Sequence, residues 1–176
     1  VDDVSEKASR WLERELLMGT DGKIAGLRGV KQSVTAAASS AITLDELIEL
    51  QDSVPDQLQK GAMWVMHRST RTAIRKLEDK NGRKYLQDDA TAPFGKVLLG
   101  KPVYTSDNMP RMGAGANALY YGDMAGLAVK FAEDPTIEVA REKFLEQHAI
   151  GAFLWMEVDA KVQVEQAISK LVMKAA

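Results

Sequence analysis

The apolar residues of this chain change their period once, and that change limits the fold more than any single motif. The first part repeats at helical spacing. Val4, Ala8, Trp11, Leu12 and Leu16 share one face of a helix over residues 4–18. Asp3–Lys7 and Glu6–Arg10 add acid-before-base pairs four residues apart, the favourable order. Gly19 stands where such a helix stops, and Gly22, Gly26 and Gly29 predict a mobile loop over residues 20–29. Thr43 and Glu46 spell a capping box. Leu44, Leu47, Ile48 and Leu50 form the apolar face of that second helix, which ends before Pro55. Residues 62–66 are continuously apolar and read as a buried strand. A third helix follows, with Ser69 as its cap and Ala73, Ile74 and Leu77 facing inward.

The later part reads as strands. Asn81-Gly82 turns the chain, residues 83–86 resemble a short strand, and residues 87–96 are polar and loop-like, with Pro93 and Gly95 inside. Strand candidates follow at residues 103–105, 119–121, 128–132 and 136–140, separated by turn residues. Residues 161–164 alternate polar and apolar, and residues 168–173 suit a final strand. Residues 142–158 fit either state: Phe144, Leu145, His148 and Ala149 suit a helix, Phe153 to Met156 a buried strand. Helices come first and strands later, so the fold class is α+β.

Composition removes several function classes. The chain has no cysteine, which excludes disulfides and thiolate metal sites and suits a reducing cytosol. Its formal net charge of −2 gives no global electrostatic case for wrapping nucleic acid. No stretch approaches the ~18–20 apolar residues of a membrane span, and no signal peptide stands at the start. The chain begins at Val1 and not at methionine, which is read as loss of an upstream segment.

Catalytic or cofactor chemistry finds little support. His67 and His148 have no partner at ligand spacing, and each is read as a surface or satisfied histidine. Asp88-Asp89 are adjacent, so on an extended chain they point to opposite faces and suit a solvated loop. Residues 113–117, Gly-Ala-Gly-Ala-Asn, begin a phosphate-loop spelling but lack its third glycine and its Lys-Ser/Thr. No serine sits in Gly-x-Ser-x-Gly. No cofactor or metal is therefore expected. Trp11, Trp64 and Trp155 lie in apolar surroundings and read as core. Arg68, Arg71 and Arg75 are spaced by three and four and make a stripe on the third helix. That stripe is read first as a solvated face, and second as a contact for an acidic partner surface or nucleic acid.

The order of segments carries more information. Ala62-Met-Trp-Val-Met-His67 leads into Thr70, then Ile74-Arg-Lys-Leu77 and Asp79-Lys-Asn-Gly-Arg-Lys-Tyr-Leu86. Leu99-Gly-Lys-Pro-Val103, Ser106-Asp-Asn-Met-Pro110, Tyr121-Gly-Asp-Met124 and Thr136-Ile-Glu-Val139 follow. This succession resembles major capsid proteins of the HK97 fold, found in tailed bacteriophages and prophages. The resemblance covers roughly residues 20–174.

The resemblance implies a division into parts of two domains. Residues 1–43 would be the end of a spine helix and a loop of a peripheral domain. Residues 44–132 would form the axial domain, a central sheet flanked by helices, and residues 133–176 would return to the peripheral domain. The loop holding Gln87, Asp88, Asp89, Pro93 and Phe94 would point to the capsomer axis. Arg68, Arg71 and Arg75 would be assembly contacts. The implied protein is not an enzyme but an icosahedral shell subunit, partnered by itself in pentamers and hexamers. It would enclose double-stranded DNA without sequence-specific binding, assemble in the bacterial cytoplasm and reside in the virion, with no membrane partner.

The resemblance also has gaps. The family's N-terminal arm and extended loop are not found, so the chain reads as a C-terminal fragment. Some relatives crosslink a lysine of that loop to an asparagine near the position of Gln147; no asparagine follows Asn117, so no crosslink is expected. The glycine stretches at 19–29 and 113–115 are candidate adjusters between pentamer and hexamer. Alternatives are an encapsulin-type compartment shell, an enzyme using Asp107, Asp123 or His148, and a plain binding module.

Overall fold

The computed structural model describes residues 2–20, 23–78, 82, 84–89, 95–140 and 150–175. Among them lie three α-helices, α1 (Asp2–Met18), α2 (Leu44–Asp52) and α3 (Arg68–Arg75). Nine strands accompany them: β1 (Ser33–Thr35), β2 (Met63–Met66), β3 (Leu86–Asp88), β4 (Lys96–Leu98), β5 (Lys101–Thr105), β6 (Asn117–Gly122), β7 (Leu127–Ala140), β8 (Gly151–Val162) and β9 (Ile168–Val172). The fold is α+β. It divides into two compact units, Val1–Gly29 with Ala128–Lys161, and Val30–Leu127 with Val162–Ala176. Residues 30–43 and 162–176 thus fall in the larger unit, and residues 128–132 in the smaller one.

The larger unit is built on a seven-stranded mixed sheet in the order β1-β9-β6-β2-β5-β4-β3. Strand β2 sits at its centre, antiparallel to β6 and parallel to β5. Alternation puts Trp64 and Met66 on one face, opposite Tyr121 and Leu119 of β6, while Trp64 also neighbours Val103 of β5. Leu47 and Leu50 of α2 and Ile74 of α3 join the same buried cluster, so both helices pack on this face. The Trp64 ring meets that of Tyr121 at 4.4 Å between centroids, and its indole N–H donates to the Leu98 carbonyl at 2.9 Å. Gly122 ends β6 at φ +145°, where a Cβ would overlap the Ala167 carbonyl oxygen. Only glycine lets β6 lie this close to the chain entering β9.

Helix α2 is held by its first turn. Thr43 Oγ1 accepts the Glu46 amide and Glu46 Oε2 accepts the Thr43 amide, the expected capping box. Glu46 Oε1 also accepts the Ala37 amide at 2.7 Å, pinning the loop after β1. Ile48 departs from expectation: it is 40% exposed, on the side of α2 away from the sheet.

Helix α3 is capped by His67, not Ser69. His67 Nδ1 accepts the Ser69 amide at 3.0 Å and the Ser69 hydroxyl lies 2.7 Å from the same nitrogen. Ser69 is already inside the helix, and the side chain one position before Arg68 has the reach to take the orphan amide.

The smaller unit pairs α1 with a two-stranded sheet of β7 and β8. The two strands read over residues 128–140 are one continuous strand of 14 residues that runs through Pro135. Proline fits because a two-stranded sheet has an open edge where no N–H is needed. Residues 153–156 are in β8; residues 142–149 lie outside the described residues. The stretch expected as a mobile glycine loop is instead packed in its described part. Gly26 and Leu27 are buried in a 3-10 turn, and a Cβ on Gly26 would strike the Leu16 carbonyl at the end of α1.

Replacing Glu46 with alanine leaves the Thr43 and Ala37 amides without their carboxylate. We expect urea unfolding to show a loss of about 2–3 kcal/mol at unchanged m-value. A loss below about 0.5 kcal/mol would show that the box contributes nothing beyond the helix itself.

Candidate functional site

Three surfaces carry what the structure offers for binding. The first is the apolar surface of the smaller unit. Trp11 is 43% exposed and Trp155 60% exposed, so neither is core as the sequence reading had it. One helix against a two-stranded ribbon has too few layers to enclose large rings. Val4, Ala8, Trp11, Leu154, Trp155 and Met156 line an open groove of about 570 Å³. Val139, Phe131 and Ile150 are exposed in the same unit. Concentrated apolar exposure of this kind marks a surface that is covered in use. Helix α1 carries the expected pairs, Lys7–Asp3 at 2.8 Å and Arg10–Glu6 at 2.5 Å.

The second surface is the outer side of α3. Arg68 and Arg75 are exposed and Arg71 half-buried, forming the stripe expected from their spacing. Arg68 Nε pairs with Asp107 at 3.1 Å. His67 Nε2 is 3.8 Å from the same carboxylate, while Nδ1 faces Ser69. The Ser69–His67–Asp107 arrangement has the residue types of a hydrolytic triad but not its geometry. The Nδ1 lone pair is engaged as a helix cap, and 3.8 Å is too long for the Asp107 hydrogen bond. Burial, first, and then Arg111 and Arg68 hold the His67 imidazole below its ordinary pKa of 6.5, against the pull of Asp107.

The third surface is the β3–β4 hairpin. Gln87 and Asp88 were expected in a loop, but both lie in β3, paired with Val97 and Lys96. Lys96 forms an ion pair with Asp88, and the Asp89 amide donates to the Gly95 carbonyl at 3.2 Å. These cross-strand bonds extend the hairpin further than polar composition suggested. Pro93 and Phe94 lie outside the described residues.

The outer side of α2 carries a second charged stripe, one that sequence reasoning missed. Asp45, Glu49 and Asp52 are all exposed there, spaced by four and three. That spacing was legible in the same way as the arginine stripe.

The remaining candidates have structural duties. Asp123 Oδ1 accepts the Ala125 amide at 2.9 Å as a turn cap. In residues 113–117, the Ala116 amide bonds Gly113 and the Gly115 amide bonds Lys174 O, so a turn into β6 occupies the donors a phosphate would need. His148 and Gln147 lie outside the described residues. Among the described residues no cluster of three or more His, Asp or Glu could hold a metal ion. Among them, too, no helix is long and apolar enough to cross a membrane.

The depressed His67 pKa has a pH consequence. Below about pH 6.5 the unfolded chain takes up this proton before the folded one does. Stability from the neutral cap is therefore full above about 6.5 and is lost as pH falls through the lower folded value. Urea unfolding at about pH 7.5 and 5 should show this loss. His67→Asn, which keeps a cap acceptor but cannot titrate, should remove part of the pH slope. An identical slope in the variant would contradict it.

No curated protein matches the sequence. Among solved structures, the capsid of the native GTA particle shares 23% identity with a TM-score of 0.81, covering 99% of this chain and 64% of that one. The capsid of the empty GTA particle shares 22% identity and the same TM-score, with 99% and 65% covered. The holo-SrpI encapsulin complex from Synechococcus elongatus PCC 7942 shares 17% identity at a TM-score of 0.68, covering 96% and 62%. The chain therefore has an HK97-like fold and spans less than two thirds of the length of these proteins. The sequence matches the phage capsid family over residues 1–173, and the chain belongs to that family.

Proposed function

We propose that this chain is part of a structural subunit of an icosahedral phage or prophage shell. The observation that carries the reading is the family match along nearly the whole chain, on a fold whose smaller unit leaves a tryptophan-lined apolar groove uncovered. A shell subunit needs large surfaces that other copies cover, and weak contacts repeated several times per copy hold it. The larger unit is proposed as the axial domain, grouped in pentamers and hexamers. Its β3–β4 hairpin, with Gln87, Asp88 and Asp89, then lies nearest the capsomer axis. The smaller unit is proposed as part of the peripheral domain, with α1 as the end of its spine helix.

On this reading the protein encloses double-stranded DNA without reading its sequence. It is not an enzyme, assembles in the bacterial cytoplasm and resides in the virion. The near-zero net charge favours packing of many copies, since it limits their mutual repulsion. The likeness to an encapsulin supports a second reading, a compartment shell around enzyme cargo. The phage capsid family match favours the first.

The test is sedimentation of the full-length protein from producing cells after nuclease treatment. The expected result is large particles of uniform size that protect DNA. Particles that enclose one co-purifying enzyme and no DNA would support the encapsulin reading. A dispersed monomer would contradict both.

A further inference from the structure

Two charged stripes on the larger unit match one another. On α3, Arg68, Arg71 and Arg75 are spaced by three, then four. On α2, read from its C-terminal end, Asp52, Glu49 and Asp45 are also spaced by three, then four. Each stripe spans eight residues, about 10 Å of helix from first to last. Laid antiparallel, the two bring each arginine opposite one carboxylate. We propose that α3 of one copy docks antiparallel on α2 of the next copy, pairing Arg68 with Asp52, Arg71 with Glu49 and Arg75 with Asp45. This rests on the shell reading and names a contact within it.

The fold places both stripes where they can be used. Leu47 and Leu50 turn the other side of α2 to the core, and Ile74 does so for α3. Asp45, Glu49, Asp52, Arg71 and Arg75 make no ion pair with another described residue. Arg68 is shared with Asp107 of its own chain, so Arg71 and Arg75 carry most of the contact. Ile48 is exposed between Asp45 and Glu49, and docking would cover it.

The geometry also decides the kind of partner. Helix α2 packs over β1, β9 and β6, toward one end of the strand order, while α3 follows β2 at the centre. A donor patch and a different acceptor patch on one unit allow a head-to-tail contact, the kind that closes into rings. Antiparallel helices also set opposite dipole ends side by side. Nucleic acid would meet the arginines alone, because the carboxylates of the α2 stripe repel phosphate.

The test is charge reversal in the full-length subunit, with the assembled fraction read by sedimentation and folding checked by circular dichroism. Arg71→Glu with Arg75→Glu should lower the apparent association constant about tenfold or more, and so should Asp45→Lys with Glu49→Lys. All four changes together should restore it to within about threefold, because the pairs re-form with opposite sign. Higher salt should weaken the wild type and the fourfold variant alike. If assembly ignores both pairs, or the fourfold variant is as poor as either alone, the proposal fails while the shell reading stands. If the arginine reversal empties particles of DNA without changing their number, the stripe faces nucleic acid and the proposal fails. A wild type that stays monomeric would overturn the shell reading and this contact with it.

Discussion

Trp64 is the point on which the larger unit depends. It is fully buried at the middle of the central strand, and its surroundings draw on four strands. Its ring lies against Tyr121 of β6 and its register partner on β5 is Val103. Its indole N–H ties β2 to Leu98 of β4, skipping the strand between. The Tyr121 hydroxyl in turn bonds Gln59 Oε1 at 3.2 Å, linking the sheet to the segment after α2. Burying a ring of this size contributes roughly 3 kcal/mol or more by itself, and an unpaired indole N–H there would cost part of that back. Helices α2 and α3 both find their apolar sides on the sheet face that this residue organises. Their charged sides are thereby turned outward.

That outward turn connects the core to the proposed role. A rigid sheet fixes two short helices that could not persist alone at eight and nine residues. The stripes on them are then pre-positioned, so little entropy is lost when a neighbouring copy docks. The smaller unit works by a different balance. A helix and two long strands bury too little of their own apolar surface, and Trp11 and Trp155 are left exposed. On the proposed reading, charge gives orientation on one unit and apolar area gives contact on the other.

Local chemistry was the most legible part of the sequence. The Thr43–Glu46 capping box and the buried run at residues 62–66 depend on near neighbours, and sequence shows near neighbours directly. The errors arise where a distant partner decides. Pro135 reads as a break, yet β7 passes through it, because an open sheet edge makes no demand on its nitrogen. Gln87 and Asp88 read as loop, yet pairing with β4 draws them into a strand. Gly26 reads as freedom, yet it serves close approach to the end of α1. Trp11 and Trp155 read as core, because apolar character in sequence does not say how many layers will cover it. The arginine stripe was visible from its spacing, and the acidic stripe on α2 was equally visible but unread without knowing that α2 turns that side outward.

The central claim is that the larger unit gathers around the symmetry axes of a shell. Electron cryomicroscopy of the full-length protein tests it most directly. The account expects icosahedral particles in which the seven-stranded sheets ring the five-fold and six-fold axes, with the β3–β4 hairpins nearest each axis. Particles with the α1 and β7–β8 unit at those axes would contradict it, and so would a preparation with no closed particles.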